Sequence, residues 1–286
     1  MKKVVVKWIT GIAVLSAAVL LVVLKLVDES NKVEFADEML GKYIMAEGLI
    51  HKITEEAPKK ELDYNDFRKD DLKYVTSLEI GLRLRKCETL VDLEKCWNLE
   101  SLEIRDGYGE CVMLDGESGA EWQYKDIYGE LPPPALSAEK IRQFEIELEG
   151  ILKACQKLKR LYIYNIGDTL SLNSLQFLVY GENLTVLSLR YLGDIDYSPV
   201  LECANLEYLR LSNCAISDLG EISRLEKLRM LWLDYTGIKE AGDIVNLKYL
   251  ERLYLTGTPL AENEEELQIL REALPGLEII TEVPWD

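Results

Sequence analysis

The chain has 286 residues, of which 48% are hydrophobic and 29% charged, proportions that are ordinary for a folded protein and exclude wholesale disorder. Four of its 33 basic residues precede residue 28, which leaves 29 basic against 51 acidic side chains, a net charge of −22 on residues 28–286 that disfavours binding to nucleic acid. Because His51 is the only histidine, multi-histidine metal sites are impossible, and we expect no metal, no cofactor and no catalytic residues.

The chain starts with a basic segment, residues 1–7, followed by an apolar run over 8–27 that is long enough to cross a bilayer as a helix. Lysines before this run outnumber those just after it, so the positive-inside rule predicts a cytoplasmic N-terminus and an extracytoplasmic C-terminal domain. Cleavage after Ala18, which would give a secreted protein, is the alternative. It would leave apolar residues at the new N-terminus, so we favour an uncleaved signal-anchor.

After the apolar run, the spacing of apolar residues predicts a helix over 36–52, and a polar stretch containing Pro58 follows it. A leucine pattern dominates residues 72–286. Eight copies of L-x-x-L-x-L align, several of them in 22-residue register, and they begin at Val75, Leu99, Leu158, Leu184, Leu206, Leu228, Leu250 and Leu274. L-x-L is a short strand with alternate residues facing inward, and stacked copies form a core that one copy cannot. The pattern predicts an α/β leucine-rich-repeat solenoid, a horseshoe of about eight repeats.

An insertion at 105–157 interrupts the repeats. Its first part, the loop 105–136, is rich in glycine and proline and is long for a compact domain. The candidate loop contacts are aromatic: Tyr108, Trp122, Tyr124 and Tyr128. A self-packed or disordered excursion and a partner-binding loop are equally compatible with this composition. Ser137 then opens a helix, predicted to reach about Gln156, on the outer side of an enlarged repeat.

Near the C-terminus, Asn263 followed by Glu266 predicts a capping box before a final helix. Three cysteines stand three residues before the first leucine of a repeat, which predicts small core residues: Cys96, Cys155 and Cys203. Cys87 and Cys111 fall outside the repeat pattern, and whether they pair stays open. No C-x-x-C motif is present, so a zinc or thioredoxin-like site is not expected.

The unit L-x-x-L-x-L-x-x-C/T-x-I-x-D-L resembles the repeat of the internalin-like class of bacterial leucine-rich-repeat proteins, and the segments 33–80 and 270–279 are similar to that family's lead-in and ending. The resemblance implies that residues 28–71 form a juxtamembrane segment and a helical N-terminal cap. It also implies extracellular binding to a protein or glycan partner. The family usually has Asn in the turn where this chain has Cys214, Thr236 or Thr258, so we expect different turn hydrogen bonds.

Side chains between and beside the strand leucines are predicted to point out of the concave face of the sheet. The predicted partner-binding residues on this face are Arg160, Tyr162, Tyr164, Arg190, Tyr208, Arg210, Met230, Trp232, Arg252 and Tyr254. The same pattern puts Val186, Ser188, Ser212, Asp234 and Thr256 on this face. Trp, Tyr and Arg dominate binding hot spots, whereas the preference of strands for aromatics accounts for the tyrosines but less well for the arginines.

The sequence therefore favours a membrane-anchored, extracytoplasmic binding module that engages a protein or peptide through its concave aromatic/Arg face. One alternative is a glycan- or cell-wall-associated enzyme, which would need two carboxylates of the 105–136 loop held about 5–10 Å apart. Another is a structural spacer, which would be favoured if the chain's own loop covered the concave face.

Overall fold

The structure, a computed structural model, describes residues 31–56, 67–80, 87–106, 111–114, 121–124, 136–165 and 170–282. The basic segment 1–7 and the predicted anchor at 8–27 lie outside these ranges. Within them, no helix is both long and apolar enough to cross a membrane.

The helices and strands follow the repeat pattern along the chain. In order they are α1 (Glu38–Glu56), β1 (Ser77–Ile80), β2 (Ser101–Asp106), β3 (Cys111–Leu114), β4 (Glu121–Tyr124), α2 (Ala138–Ala154), β5 (Arg160–Asn165), β6 (Val186–Arg190), β7 (Tyr208–Arg210), β8 (Met230–Trp232), β9 (Arg252–Tyr254), α3 (Glu264–Ala273) and β10 (Glu278–Ile280). Eight of these strands form one sheet in the order β1-β2-β5-β6-β7-β8-β9-β10, and the seven neighbouring pairs are all parallel.

The predicted register of the repeats is confirmed. The second leucine of each pattern faces its counterpart on the next strand, as in the pairs Leu187↔Leu209 and Leu209↔Leu231, and these leucines are buried. Between most successive strands the chain returns along the outer side through a short 3-10 helix, and in the enlarged repeat α2 takes the place of this 3-10 helix. The buried side chains of neighbouring repeats pack on one another and form one continuous aliphatic core along the chain. The predicted leucine-rich-repeat solenoid is therefore confirmed.

The two longer predicted helices after the cap begin where their caps indicate. The Ser137 hydroxyl accepts from the backbone N–H of Lys140 at 3.2 Å, and α2 ends at Ala154, slightly before the predicted end. The Asn263 side chain likewise accepts from the N–H of Glu266 at 3.3 Å. The capping box is only half formed, however, because the Glu266 carboxylate accepts instead from the N–H of Ala241 in the preceding repeat, at 2.7 Å.

Helix α1 covers the start of the solenoid, as the resemblance implied, but it runs from residue 38 to 56 rather than over 36–52. Leu40 and Ile44 on this helix are buried in the common core. The fully buried carboxylate of Asp92 holds the segment before the helix by accepting from the N–H groups of Ala36 at 2.9 Å and Asp37 at 2.8 Å. The cap is therefore attached by hydrogen bonds as well as by apolar packing.

The repeat cysteines have the predicted place in the core. Cys96, Cys155 and Cys203 are at most 1% exposed, and burial raises the pKa of each thiol, to about 12 for Cys155 and Cys203. The side chain of Cys111 is outside the described part of the chain, so the question of its pairing with Cys87 stays open. In the turns, the hydroxyls of Thr236 and Thr258 donate to carbonyls of their own repeat, each at 2.7 Å.

Candidate binding site on the concave face

Parallel pairing in register arranges the concave side chains in rows that cross the sheet. The middle row contains the central outward-facing residue of each strand: Glu79, Glu103, Tyr162, Ser188, Arg210, Trp232, Tyr254 and Ile280. Ser188 is the smallest side chain in this row, and it lies between Tyr162 and Arg210. The side chains of Tyr162 and Arg210 extend much further from the sheet than that of Ser188, so a depression forms at Ser188.

This depression, which we call the Ser188 hollow, has a volume of about 340 Å³. Its lining residues are Tyr162, Tyr164, Val186, Leu187, Ser188, Tyr208, Arg210 and Trp232. Five of the ten residues predicted to bind a partner thus share one concavity. The hydroxyl of Ser188 has no hydrogen-bond partner among the described residues, and the residue is only 4% exposed.

The aromatic side chains beside the hollow are held by contacts with one another. The rings of Trp232 and Tyr254 are stacked, with centroids 4.9 Å apart and planes 12° apart. On the opposite side, the rings of Tyr162 and Tyr164 lie 6.3 Å apart in a tilted arrangement, and burial raises the pKa of the Tyr162 hydroxyl. Rings that are already packed lose little conformational freedom when a ligand binds.

Arg210 is oriented by a buried polar chain. Its Nε donates to the Ser212 hydroxyl at 2.9 Å, which donates to the Asp234 carboxylate at 3.3 Å, and Asp234 also accepts from the N–H of Thr256 at 3.1 Å. Ser212 and Asp234 were predicted on the open face but are 0% and 7% exposed, because they form this support below Arg210. Burial, and then the positive charge of Arg190, lower the pKa of the Arg210 guanidinium.

Arg190 lies against aromatic rings in the neighbouring row. Its guanidinium carbon is 5.5 Å from the centroid of Tyr164 and 5.2 Å from that of Tyr191. Nη2 of Arg190 is 3.4 Å from the Tyr191 hydroxyl, while its buried Nε has no hydrogen-bond partner in the described part of the chain. Arg190 therefore places a second positive charge close to Arg210 without lining the hollow itself.

Three other predicted residues lie at the edge of the face. Arg160, Met230 and Arg252 belong to the row that includes Val186 and Tyr208, and none of the three lines the hollow. Arg252 is committed to an ion pair, with its Nε 2.8 Å from a carboxylate oxygen of Glu278. Arg105, near the N-terminal end of the face, is likewise paired with Glu103 and lies 3.6 Å from Glu79.

Residues with a left-handed backbone form a further series that was not predicted from the sequence. Tyr191, Asn213 and Tyr235 have φ angles of +61°, +58° and +57°, and Gly257 continues the series at +68°. They follow one another at 22-residue intervals, and the N–H of Tyr235 donates to the carbonyl of Thr256 in the next repeat at 2.8 Å. Asn213 and Gly257 are of residue types that tolerate a left-handed backbone, and their presence in this series is the signal that could have revealed it.

The predicted loop contacts lie mostly outside the described residues. Trp122 and Tyr124 belong to β4, whose backbone pairs with β3 in an antiparallel ribbon that the sequence analysis did not predict. Their side chains, together with those of Tyr108 and Tyr128, are outside the described part of the structure, as are all the carboxylates of the 105–136 loop. Within the described ranges, no group of three or more potential ligands is arranged to hold a metal ion.

A second groove of about 340 Å³ lies between residues 194–201 and 215–222. Two of its carboxylates close turns, since Asp196 accepts from the N–H of Ser198 and Asp218 from that of Gly220, each at 2.9 Å. This groove is explained by the turn structure of the repeats, and none of the predicted binding residues lines it.

The fold places the chain beside known leucine-rich-repeat proteins. Internalin C2 from Listeria monocytogenes is 18% identical and has a TM-score of 0.51, over 87% of this chain and 94% of that one. This is a leucine-rich-repeat fold of the internalin type. A leucine-rich-repeat protein from Leptospira interrogans (20% identity, TM-score 0.41, over 73% of this chain and 49% of that one) and an internalin, InlF, from Listeria monocytogenes (15%, 0.36, 86% and 75%) are more distant in structure. No protein-family model and no curated protein sequence matches the chain.

Proposed function

We propose that this chain is a membrane-anchored, extracytoplasmic module that binds a protein or peptide partner through its concave face. The observation that carries the proposal is the Ser188 hollow, where predicted hot-spot residues from three strands, β5, β7 and β8, line one concavity. Its aromatic walls are pre-packed and Arg210 is pre-oriented, so binding would require little further ordering of the site.

Binding fits this site better than catalysis. The residues that line the hollow include neither a carboxylate nor a histidine, so they do not supply the pair of carboxylates that the glycosidase alternative requires. They do supply aromatic area and a guanidinium, which are typical of protein recognition. The internalin-type fold, with its open concave sheet, is compatible with this use.

The test is a selection of displayed random peptides on the immobilised full chain, compared with its Trp232→Ala variant. Trp232 is half-buried beside the hollow, and we expect selected peptides to bind the variant about tenfold or more weakly. Tyr249→Ala is the matched control, because Tyr249 is an aromatic residue that is 70% exposed and does not line the hollow. Absence of selected peptides, or equal binding to folded Trp232→Ala, would refute the proposal.

The proposed anchoring has a separate test. If residues 8–27 span the membrane with the N-terminus in the cytoplasm, a tag at the C-terminus is found in the membrane fraction of untreated cells. Protease added to intact cells then digests the tag. Recovery of the tag in the medium instead would identify a cleaved, secreted protein.

A further inference from the structure

Arg210, which lines the hollow, and Arg190 beside it differ from Arg105 and Arg252 in their ionic partners. Arg105 and Arg252 are paired with carboxylates, but no carboxylate oxygen of the described residues lies within 4.0 Å of the guanidinium nitrogens of Arg190 or Arg210. Asp234 acts on Arg210 through the Ser212 hydroxyl and also accepts from the N–H of Thr256. On a chain whose net charge is strongly negative, this is a local excess of positive charge.

Arg210 lines the hollow, and its Nη groups have no hydrogen-bond partner among the described residues. Its Nε is used by Ser212, which leaves the Nη groups of a residue that lines the cavity for a ligand. Ser188 adds a hydroxyl that is more than nine-tenths buried, lines the same cavity and has no hydrogen-bond partner among the described residues. An unsatisfied buried hydroxyl beside an unpaired guanidinium is an arrangement that a carboxylate ligand would complete.

We infer that the Ser188 hollow receives one acidic side chain, Asp or Glu, of a protein partner. The carboxylate binds the Nη groups of Arg210 and comes within reach of Ser188, and the adjoining apolar part of the partner lies between Tyr162 and Trp232. This inference rests on the proposed function and names the chemistry that the binding face selects.

Charge on the rest of the chain restricts the partner further. Residues 28–286 carry a net charge of −22, which repels an acidic partner at long range. A single carboxylate within neutral or basic surroundings is attracted by the arginines at the hollow and is not repelled by the rest of the chain. A run of acidic residues would also be attracted by the arginines, but the negative charge of the rest of the chain would repel it. We therefore expect the bound segment to contain one acidic residue next to an apolar or aromatic one, with lysine or arginine nearby.

The test uses a peptide selected on the wild-type chain and a synthetic copy in which its acidic residue is replaced by the corresponding amide. The full chain should bind the amide copy roughly 10- to 100-fold more weakly. Arg210→Gln should bind both copies with the weaker affinity, and Arg210→Lys, which keeps the charge without the planar fork, should retain part of the difference. Arg229→Gln is the control, since Arg229 is exposed and paired with Glu251, and it should behave as wild type.

Ser188→Leu tests whether the cavity itself is needed for binding. The larger side chain extends into the hollow, and the charge of the chain is unchanged. We expect it to fold and to bind the acidic peptide about tenfold or more weakly. Peptides that bind but carry no acidic residue, or that lose nothing as amides, would overturn the inference while leaving the proposed function intact. Equal, Arg210-dependent binding of glucuronic-acid oligosaccharides would overturn the assignment to a protein side chain, and failure to select any peptide would refute both proposals.

Discussion

Replacing Asp92 measures how much its hydrogen bonds contribute to the stability of the N-terminal cap on the solenoid. Its side chain is fully buried and accepts two backbone hydrogen bonds, from Ala36 and Asp37, and its partner Lys95 at 2.6 Å is itself 40% exposed. A hydrogen bond to a charged group contributes about 1.5–3 kcal/mol, and an ion pair with an exposed partner contributes little. Asp92→Ala removes the acceptor of the buried N–H group of Asp37 and of the part-buried N–H group of Ala36, and it should therefore destabilise the cap by about 3–5 kcal/mol.

The loss should be local, because a repeat protein is stabilised mainly by contacts between neighbouring repeats. Hydrogen exchange measured on the full chain should accelerate in residues 36–48 while β7, β8 and β9 keep their protection. Lys42→Met is the control, because the ion pair of Lys42 with Glu38 on the cap helix is exposed at both ends, and it should change exchange of the cap by less than about 1 kcal/mol. Unchanged exchange of the cap in Asp92→Ala, or an equal loss of protection across the whole sheet, would contradict this account of how the cap is attached.

Two further predictions concern the turns and the buried thiols. Gly257→Ala should lower the denaturation midpoint more than Gly220→Ala: both glycines have positive φ, so each substitution costs about 1 kcal/mol in backbone strain, but a Cβ at Gly257 would also come within 2.6 Å of the Tyr235 ring. Equal midpoints for the two variants would show that the ring moves aside freely. Burial raises the pKa of the Cys155 and Cys203 thiols to about 12, so they stay protonated in the folded state at pH values where the unfolded chain ionises them. Their stabilising effect is complete below about pH 8.5 and is lost as the pH rises toward 12; the urea midpoint should therefore fall between pH 8 and pH 10.5, and by less in the double alanine variant.

Much of the scaffold could be predicted because each repeat carries its own local signal. The spacing of Leu187, Leu209 and Leu231 specifies both the strand positions and the side chains that face inward, and the structure follows it. The caps Ser137 and Asn263 also act within one turn of helix, so they were visible in the chain. The half-formed capping box at Glu266 shows the limit of such reasoning, because its carboxylate finds a better partner in another repeat.

The candidate site was predicted in its composition but not in its shape. Trp232, Arg210 and Tyr162 were expected to share a face, and they do. The depth of the hollow depends on Ser188, a residue without any conspicuous feature in the chain. Asp234, expected on the open face, instead supports Arg210 through Ser212, an arrangement that requires side chains 22 residues apart to meet.

The amino-acid sequence by itself determined the solenoid, because a recurrent leucine pattern allows only one way of burying all its apolar residues, and it determined which side chains could face outward. Tertiary structure alone decided which of these form a cavity, which are neutralised by ion pairs and which stay available. Arg252 is paired and Arg210 is not, although both lie on the same face. Such differences depend on contacts across neighbouring strands, and the affinity of a surface group for a ligand depends on whether those contacts have already satisfied it.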